Sequence, residues 1–453
     1  MKELKNLYKS IYSIWFISFV LFLALFLNLP IETLPGDDFV HLTRAKWSIF
    51  GERKVTYTQR DKPLNYSWLY HYILRILGCK CNLIACSDPL SETSQKVNSR
   101  CYKVHSILRS FLLANLLVSI LILLSNPTKD IVLALPVVFI SSTLNTVRIV
   151  TYIIVAVTIV LLRRWERITP KRFIVLFVFS VIWVNVHITA PLYFLTVFLF
   201  MKGNLTNRIL VVGLLLPTLL INPFGHRYIG AIWEGVNILQ KGKQEVPAEL
   251  KTSFERFYES LVYSFQKKTI FISYFDALFL VLMHLYLVFP FRLASFLPII
   301  SFLFLPFRFF SLVAIYSLSS IKTYKKNFIP AMVCSILILI VVPFNTYRNV
   351  NIDKKTKNFF YSILSKCELS IFMPLSGMNM VNFLHFPKIT SLFDSFDLWT
   401  NKKIKIYTYN LISQYDCIIL DKNLIKYKEQ ISDRLSSENL ILYNDSFFVF
   451  KVK

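Results

Sequence analysis

Two adjacent carboxylates, a histidine and an arginine carry the clearest chemical potential in this chain. They lie in the run Gly36-Asp37-Asp38-Phe39-Val40-His41-Leu42-Thr43-Arg44. The run follows the first apolar segment, residues 13–30, which is long enough to span a bilayer. Asp37, His41 and Arg44 stand at i, i+4 and i+7, so they share one face if a helix starts near Asp38. A carboxylate there can take a proton from a hydroxyl as a general base, or ligate a divalent cation. The plainer reading is that one aspartate caps the helix, and capping is compatible with either role. Charge is costly near hydrocarbon, so such a cluster at a membrane boundary points to chemistry or binding.

Other polar residues interrupt apolar runs further along. Asn185 and His187, in Trp183-Val184-Asn185-Val186-His187, close one such run. They suit hydrogen bonding to a phosphate or sugar, or equally a bond between helices. Asn222-Pro223-Phe224-Gly225-His226 opens a polar loop; Asn222, Pro223 and Gly225 read as a structural turn, and His226 is left as a candidate ligand. Arg148 and Arg308 each sit between two apolar runs, where a guanidinium can hold a phosphate by paired hydrogen bonds or snorkel to the interface. Glu249 lies in the same polar loop as His226 and by default is exposed.

The elements that must position these residues are membrane spans. Of 453 residues, 55% are hydrophobic and 17% charged, with a mean hydropathy of +0.52, which excludes an ordinary soluble domain. Apolar runs near 13–30, 106–125, 131–147, 149–162, 173–187, 189–201, 209–221, 270–290, 293–307, 309–320 and 328–344 predict about eleven spans. Lys2, Lys5 and Lys9 place the N-terminus in the cytoplasm, and alternation then puts the basic loops at 163–172, 202–208 and 322–326 on that side. The net charge of +25 follows from these flanks and calls for no nucleic acid. The same parity puts 31–105, 222–269 and 345–453 outside. The first segment is read as a retained anchor, because Leu34-Pro35-Gly36-Asp37 is a poor cleavage site.

The first outer loop, 31–105, reads as partly helical, with Trp47, Trp68, Tyr70 and Tyr72 suited to the interface. It also holds Cys79, Cys81, Cys86 and Cys101, whose spacing matches no strong zinc pattern; disulfides or free thiols are the reading. Residues 346–453 read as a small extracytoplasmic α/β domain. Strands are expected at 404–409, 415–420 and 447–452, with a helix over 422–435. Ten glycines in the whole chain, with no Walker loop or nucleophile elbow, argue against nucleotide-phosphate loops.

Taken together, Gly36-Asp37-Asp38-Phe39-Val40-His41-Leu42 after the first span, Trp183/Asn185/His187, Asn222-Pro223-Phe224-Gly225 and Glu249 resemble the GT-C superfamily of membrane glycosyltransferases. The likeness runs over most of residues 1–345, and more loosely the tail. It implies a GT-C-like helical membrane domain and transfer of a sugar from a polyprenyl-phosphate donor to an extracytoplasmic glycan, lipid or protein. It implies Asp37 or Asp38 as the base, His41, Arg44, Asn185, His226 and Glu249 around donor or acceptor, and Arg148, Arg308 and His187 on the leaving phosphate. A mannosyltransferase-like version needs no metal; an oligosaccharyltransferase-like one holds Mg²⁺ or Mn²⁺ on Asp37, Asp38 and Glu249. The Trp-Trp-Asp tail motif of oligosaccharyltransferases is absent, so peptide N-glycosylation is not expected. Two other classes stand beside the enzyme. One is a flippase for a lipid-linked glycan, which needs polar residues at mid-membrane. The other is a non-catalytic envelope scaffold, which tolerates loss of the acidic pair.

Overall fold

A computed structural model describes residues 2–29, 36–47, 67–81, 86, 91–124, 127–142, 146–230, 232–233, 310–319, 358–373, 389–391, 415–422, 437–444 and 447–452, with isolated positions at 252, 254–255, 258, 262, 303 and 333. The protein is mostly helical and divides into two compact units. One comprises Met1–Leu29 and Ile107–Arg348; the other comprises Pro30–Ser106 and Asn349–Lys453.

In the first unit, α1 (Lys2–Asn28) passes from a basic start into a continuous apolar run. α4 (Glu92–Leu124) contributes its second half here, followed by α5 (Pro127–Ser142), α6 (Thr146–Arg164), α7 (Pro170–Val186), α8 (Ala190–Phe200) and α9 (Leu205–Leu215), with α10 at Phe310–Ser319. α6 is the core helix, packing against α7, α8 and α10 and burying Ile149, Val155, Ala156 and Ile159 completely. α7 starts where Thr169 accepts a bond from the Arg172 N–H and Pro170 takes the first turn. Asn204 caps α9 in the same way through the Asn207 N–H. Inside the bundle, hydroxyls satisfy one another or the backbone. Thr196 Oγ1 lies 2.6 Å from Tyr316 Oη, and Tyr193 donates to the Leu176 carbonyl at 2.9 Å.

Among the described residues, three helices are long and apolar enough to cross a membrane: Ser10–Asn28, Glu92–Leu124 and Thr146–Arg164. Eight of the eleven apolar runs contain or overlap a described helix, but several of these helices are short. α8 has 11 residues and α9 has 11 before a 3₁₀ turn at Leu216–Leu220, against the roughly 20 that a full crossing needs. Pro217 falls inside the run at 209–221, where the 3₁₀ turn replaces the helix, and α8 nearly fills the run at 189–201, which is itself short. The runs at 270–290, 293–307 and 328–344 lie outside the described residues, apart from isolated positions.

The second unit contains two pieces. Its N-terminal piece is built from α2 (Gly36–Trp47), α3 (Trp68–Leu74, extended by a π-turn at Arg75–Cys79) and the start of α4. Within the π-turn Gly78 has φ of 107°, a conformation side chains rarely adopt, and an added Cβ would lie 3.0 Å from Arg100 Cδ. Its C-terminal piece is a five-stranded sheet in the order β2-β1-β3-β5-β4, formed by Ser370–Met373 (β1), Ile389–Ser391 (β2), Cys417–Asp421 (β3), Leu440–Tyr443 (β4) and Phe447–Lys451 (β5). β1 runs parallel to β2 and β3, and β5 runs antiparallel to β3 and β4. β3 is central and buried on both faces, which is why its sequence is an unbroken apolar run. A helix over 358–364 lays Phe360, Ile363 and Leu364 against Ile389, Ile419 and Val449. The strand expected at 404–409 lies outside the described residues, as does nearly all of the helix over 422–435.

Candidate functional site

α2 is the helix expected to begin near Asp38, and it is buried on almost every side. Of its described side chains only Arg44 is half-buried; Asp38, His41, Thr43 and Lys46 are enclosed. Charged and polar groups persist in such a place only when paired. Asp38 Oδ2 lies 3.2 Å from His105 Nε2 on α4, both residues fully buried. The other ring nitrogen of His105 lies 2.8 Å from the Tyr70 hydroxyl on α3. With an ionised aspartate, Nε2–H donates to the carboxylate and Tyr70 O–H donates to Nδ1, so both His105 nitrogens are satisfied by one neutral tautomer.

A second pair adjoins the first. His41 Nδ1 and His71 Nε2 are 2.8 Å apart, and the His41 ring meets Tyr70 edge-on at 5.7 Å between centroids. Burial holds the His71 pKa well below the ordinary histidine value, and the charges of His41 and Arg44 push it the same way. His71 is therefore neutral at physiological pH, with one ring proton. Its Nδ1 is buried and has no hydrogen-bond partner among the described residues.

Lys46 closes the far end of α2. Its ammonium donates to Asn98 Oδ1 at 2.6 Å and stands 4.8 Å from the centre of the Trp47 ring. Burial lowers its pKa to about 7. The last carbonyls of α2 are taken up by Arg75, which donates to Ala45 O at 3.4 Å, and by the Cys81 N–H, which donates to Lys46 O at 3.1 Å. Disulfides Cys79–Cys101 and Cys81–Cys86 complete the assembly. The first joins the π-turn after α3 to α4, and the second packs with Trp47 and Val97. The four cysteines of this segment are thus paired. Trp47 and Tyr70, expected at the interface, are interior residues instead, because the Trp47 ring packs on the second disulfide and the Tyr70 hydroxyl has a buried acceptor.

The remaining candidates fall in the first unit. Asn185 donates to Ile221 O at 2.8 Å and to Val181 O at 2.7 Å, so its amide ties α7 to the turn after the 3₁₀ segment. His187 caps α7; its Nδ1 lies 2.7 Å from Thr189 Oγ1, and its carbonyl accepts from Tyr228 Oη at 2.8 Å. The two motifs at 183–187 and 222–226 therefore meet, joined by Tyr228 from beyond the second. Asn222 Oδ1 accepts from Phe224 N at 2.8 Å, and Gly225 has φ of 51°, the expected structural turn. His226 is exposed. Arg148 is buried in the first turn of α6. Arg109, not anticipated, donates to Ser142 O at the end of α5 and stacks 4.9 Å from the Phe26 ring centre. Glu249 and Arg308 lie outside the described residues, as does the side chain of Asp37.

His105, Tyr70, His71 and Lys46 were not among the sequence candidates. A signal for His105 existed: Ser94, Asn98, Cys101 and His105 recur on one helical face, and all four are buried. No group of three or more His, Cys, Asp or Glu side chains among the described residues is placed to hold a metal ion. Asp38 is already engaged by His105, and imidazoles are poor partners for Mg²⁺, so the described donor set does not fit that ion.

No protein-family model, curated protein or solved structure matches this chain.

Proposed function

We propose that this protein is an integral membrane glycosyltransferase that moves a sugar from a polyprenyl-phosphate donor to an extracytoplasmic acceptor. The observation that supports this reading best is the ionisable cluster Asp38, His105 and Tyr70. It is fully buried and rests on a helix directly after the first membrane-length helix. Buried ionisable groups in a membrane protein are a functional hypothesis by default. In the proposed reaction, one of the adjacent carboxylates at 37 and 38 takes the proton from the acceptor hydroxyl. The acceptor oxygen bonds to the anomeric carbon as the bond from that carbon to the phosphate oxygen breaks. Polyprenyl phosphate leaves as an anion, a good leaving group that needs no strong general acid. No step is routed through a metal.

The orientation is part of the proposal: N-terminus in the cytoplasm, first outer segment and C-terminal sheet outside. Supporting it, three disulfides fall in those two pieces, Cys79–Cys101 and Cys81–Cys86 in one and Cys367–Cys417 in the other, and disulfides persist in oxidising compartments.

The test is transfer of radiolabelled sugar from polyprenyl-phosphate donors to a membrane extract by purified protein, beside an Asp37→Asn/Asp38→Asn variant. Label moved by the wild type alone is the expected result. Equal transfer by the double variant would sink the assignment of the acid pair. Donor binding without transfer by the wild type would favour a flippase.

A further inference from the structure

We propose that the outward face of α3 and its π-turn is a lipid-contacting surface, seated at the bilayer boundary with acyl chains as its partner. The inference rests on the membrane reading of this chain and not on sugar transfer.

α3 has its polarity reversed. Trp68, Leu69, Tyr72, Ile73, Ile76 and Leu77 recur at i, i+1, i+4, i+5, i+8 and i+9, the spacing of one side of a helix. All six are exposed or half-buried; Ile76 is 65% exposed and Leu77 51%. The opposite side is largely polar. Ser67, Tyr70 and His71 are buried, with Tyr70 bonded to His105 and His71 to His41, and Arg75 reaches the Ala45 carbonyl. A helix at a water-facing surface is arranged the other way, with its apolar stripe inside. A contiguous exposed apolar face marks a contact with a membrane or with another protein.

The tether of the π-turn favours the membrane. The Cys79–Cys101 disulfide ties its end to α4, and Gly78 lies beside the Arg100 side chain. Just past that level the exposed residues of α4 change type: Arg100 and Lys103 come first, then Ile107 and Phe111 in its apolar run. Six residues separate Cys101 from Ile107, about 9 Å at 1.5 Å per residue, little more than the thickness of a headgroup layer. The π-turn is thus held near the level where lipid phosphates meet acyl chains. Arg100, Lys103 and the exposed Lys80 supply cations for the phosphates at this rim. Trp68 and Tyr72 are the ring types that settle at headgroup level. α3 then has lipid on one side and the Tyr70–His105 and His41–His71 pairs on the other, which brings that cluster to the depth of a lipid phosphate.

The test places p-acetylphenylalanine, coupled to a ketoxime spin label, in turn at positions 72, 76 and 77 of the full chain in phosphatidylcholine nanodiscs. Labels at Glu92 and Phe111 give the water and lipid references, and ketone coupling leaves the disulfides untouched. Labels at 76 and 77 are expected to collide with oxygen and to be shielded from a nickel chelate, at a ratio that places them about 5–10 Å into the headgroup/acyl boundary. Access of the chelate to 76 and 77 as free as at 92 puts the face in water and overturns the proposal. Shielding from both reagents puts protein on the face, a second copy or another partner, and also overturns it. Because a labelled variant can misfold, a second measurement uses the unlabelled wild type, photolysed in nanodiscs that hold phosphatidylcholine with a diazirine in its acyl chain. Adducts on residues 68–77 are expected at a yield comparable with residues 107–115 and well above residues 91–99. A yield on 68–77 no higher than on 91–99 overturns the proposal. Neither readout depends on sugar transfer, so failure of the transferase reading and failure of this one are separate results.

Discussion

Lys46 predicts how the segment built from α2, α3 and the start of α4 responds to alkali. Its ammonium is buried, hydrogen-bonded to Asn98 with the face of Trp47 beside it, and burial takes its pKa from 10.5 to about 7. The folded pKa lies below the unfolded one, so the unfolded chain binds the extra proton between these values. The destabilisation is therefore fully present below pH 7 and fades as pH rises towards 10.5, at about 1.4 kcal/mol per pH unit. The Trp47 face favours the charged form and returns about 1 kcal/mol. Between pH 8 and pH 10 the segment should gain about 2 kcal/mol from this one group. Lys46→Met removes the titration while keeping the aliphatic stem's volume. It leaves Asn98 Oδ1 without that donor, a loss of about 1–3 kcal/mol that does not vary with pH. The prediction thus concerns the slope rather than the level. The assay is urea unfolding in lipid nanodiscs at pH 8, 9 and 10, read from the ¹⁹F resonance of 5-fluorotryptophan at Trp47. Other titrating groups cancel in the comparison of wild type and variant. Parallel stability–pH lines for the two proteins would refute the account of Lys46 as a desolvated amine.

Three further outcomes follow from the packing. Disulfides take six of the seven cysteines, so thiol labelling of the denatured, unreduced chain should modify Cys334 alone; labelling of a second cysteine would contradict the pairing. Cys367→Ser/Cys417→Ser opens a closure of 50 residues and should destabilise the C-terminal sheet by about 4 kcal/mol, seen as faster proteolysis of that sheet in the full chain. Tyr228→Phe strips the hydroxyl bonded to the His187 carbonyl and should lower the stability of the helical unit by about 1–2 kcal/mol, measured as a fall in thermal midpoint.

What could be read directly from the sequence was local. The turn at Asn222–Gly225 and the strands near 417 and 447 carry their signal within a few residues, a proline with a glycine and an apolar run, whereas α2 begins at Gly36, with both aspartates inside it rather than capping it. The three membrane-length helices among the described residues fall in apolar runs for the same reason, whereas α8 fills nearly all of a run that is itself too short for a full crossing. The partner of Asp38 was not legible at all. His105 is 67 residues downstream, and nothing in the period of either helix states that the two meet.

The face of α4 that holds His105 gives the deeper reason. Ser94, Asn98 and His105, with the disulfide-bonded Cys101 between them, make a largely polar stripe that hydropathy does not mark as interior, while Glu92, Lys96 and Arg100 on the other side are exposed in fact. A polar stripe becomes interior only when another element brings complementary groups at matching intervals. α2 does so, with a carboxylate for the imidazole and an ammonium for the amide, at intervals of eight and seven residues. Beyond Ser106 the interior of the same helix is mainly apolar: Leu113, Ala114, Leu116, Leu117, Ile120 and Leu121 are all buried, beside a few polar groups such as Arg109 and Ser119. α4 thus uses two kinds of burial along its length, paired polar groups first and mainly apolar packing after. Only the second kind is visible to a composition window. The chemistry of this chain was hidden in the first, because a buried polar group is recognised by its partner, and that partner is supplied by the fold.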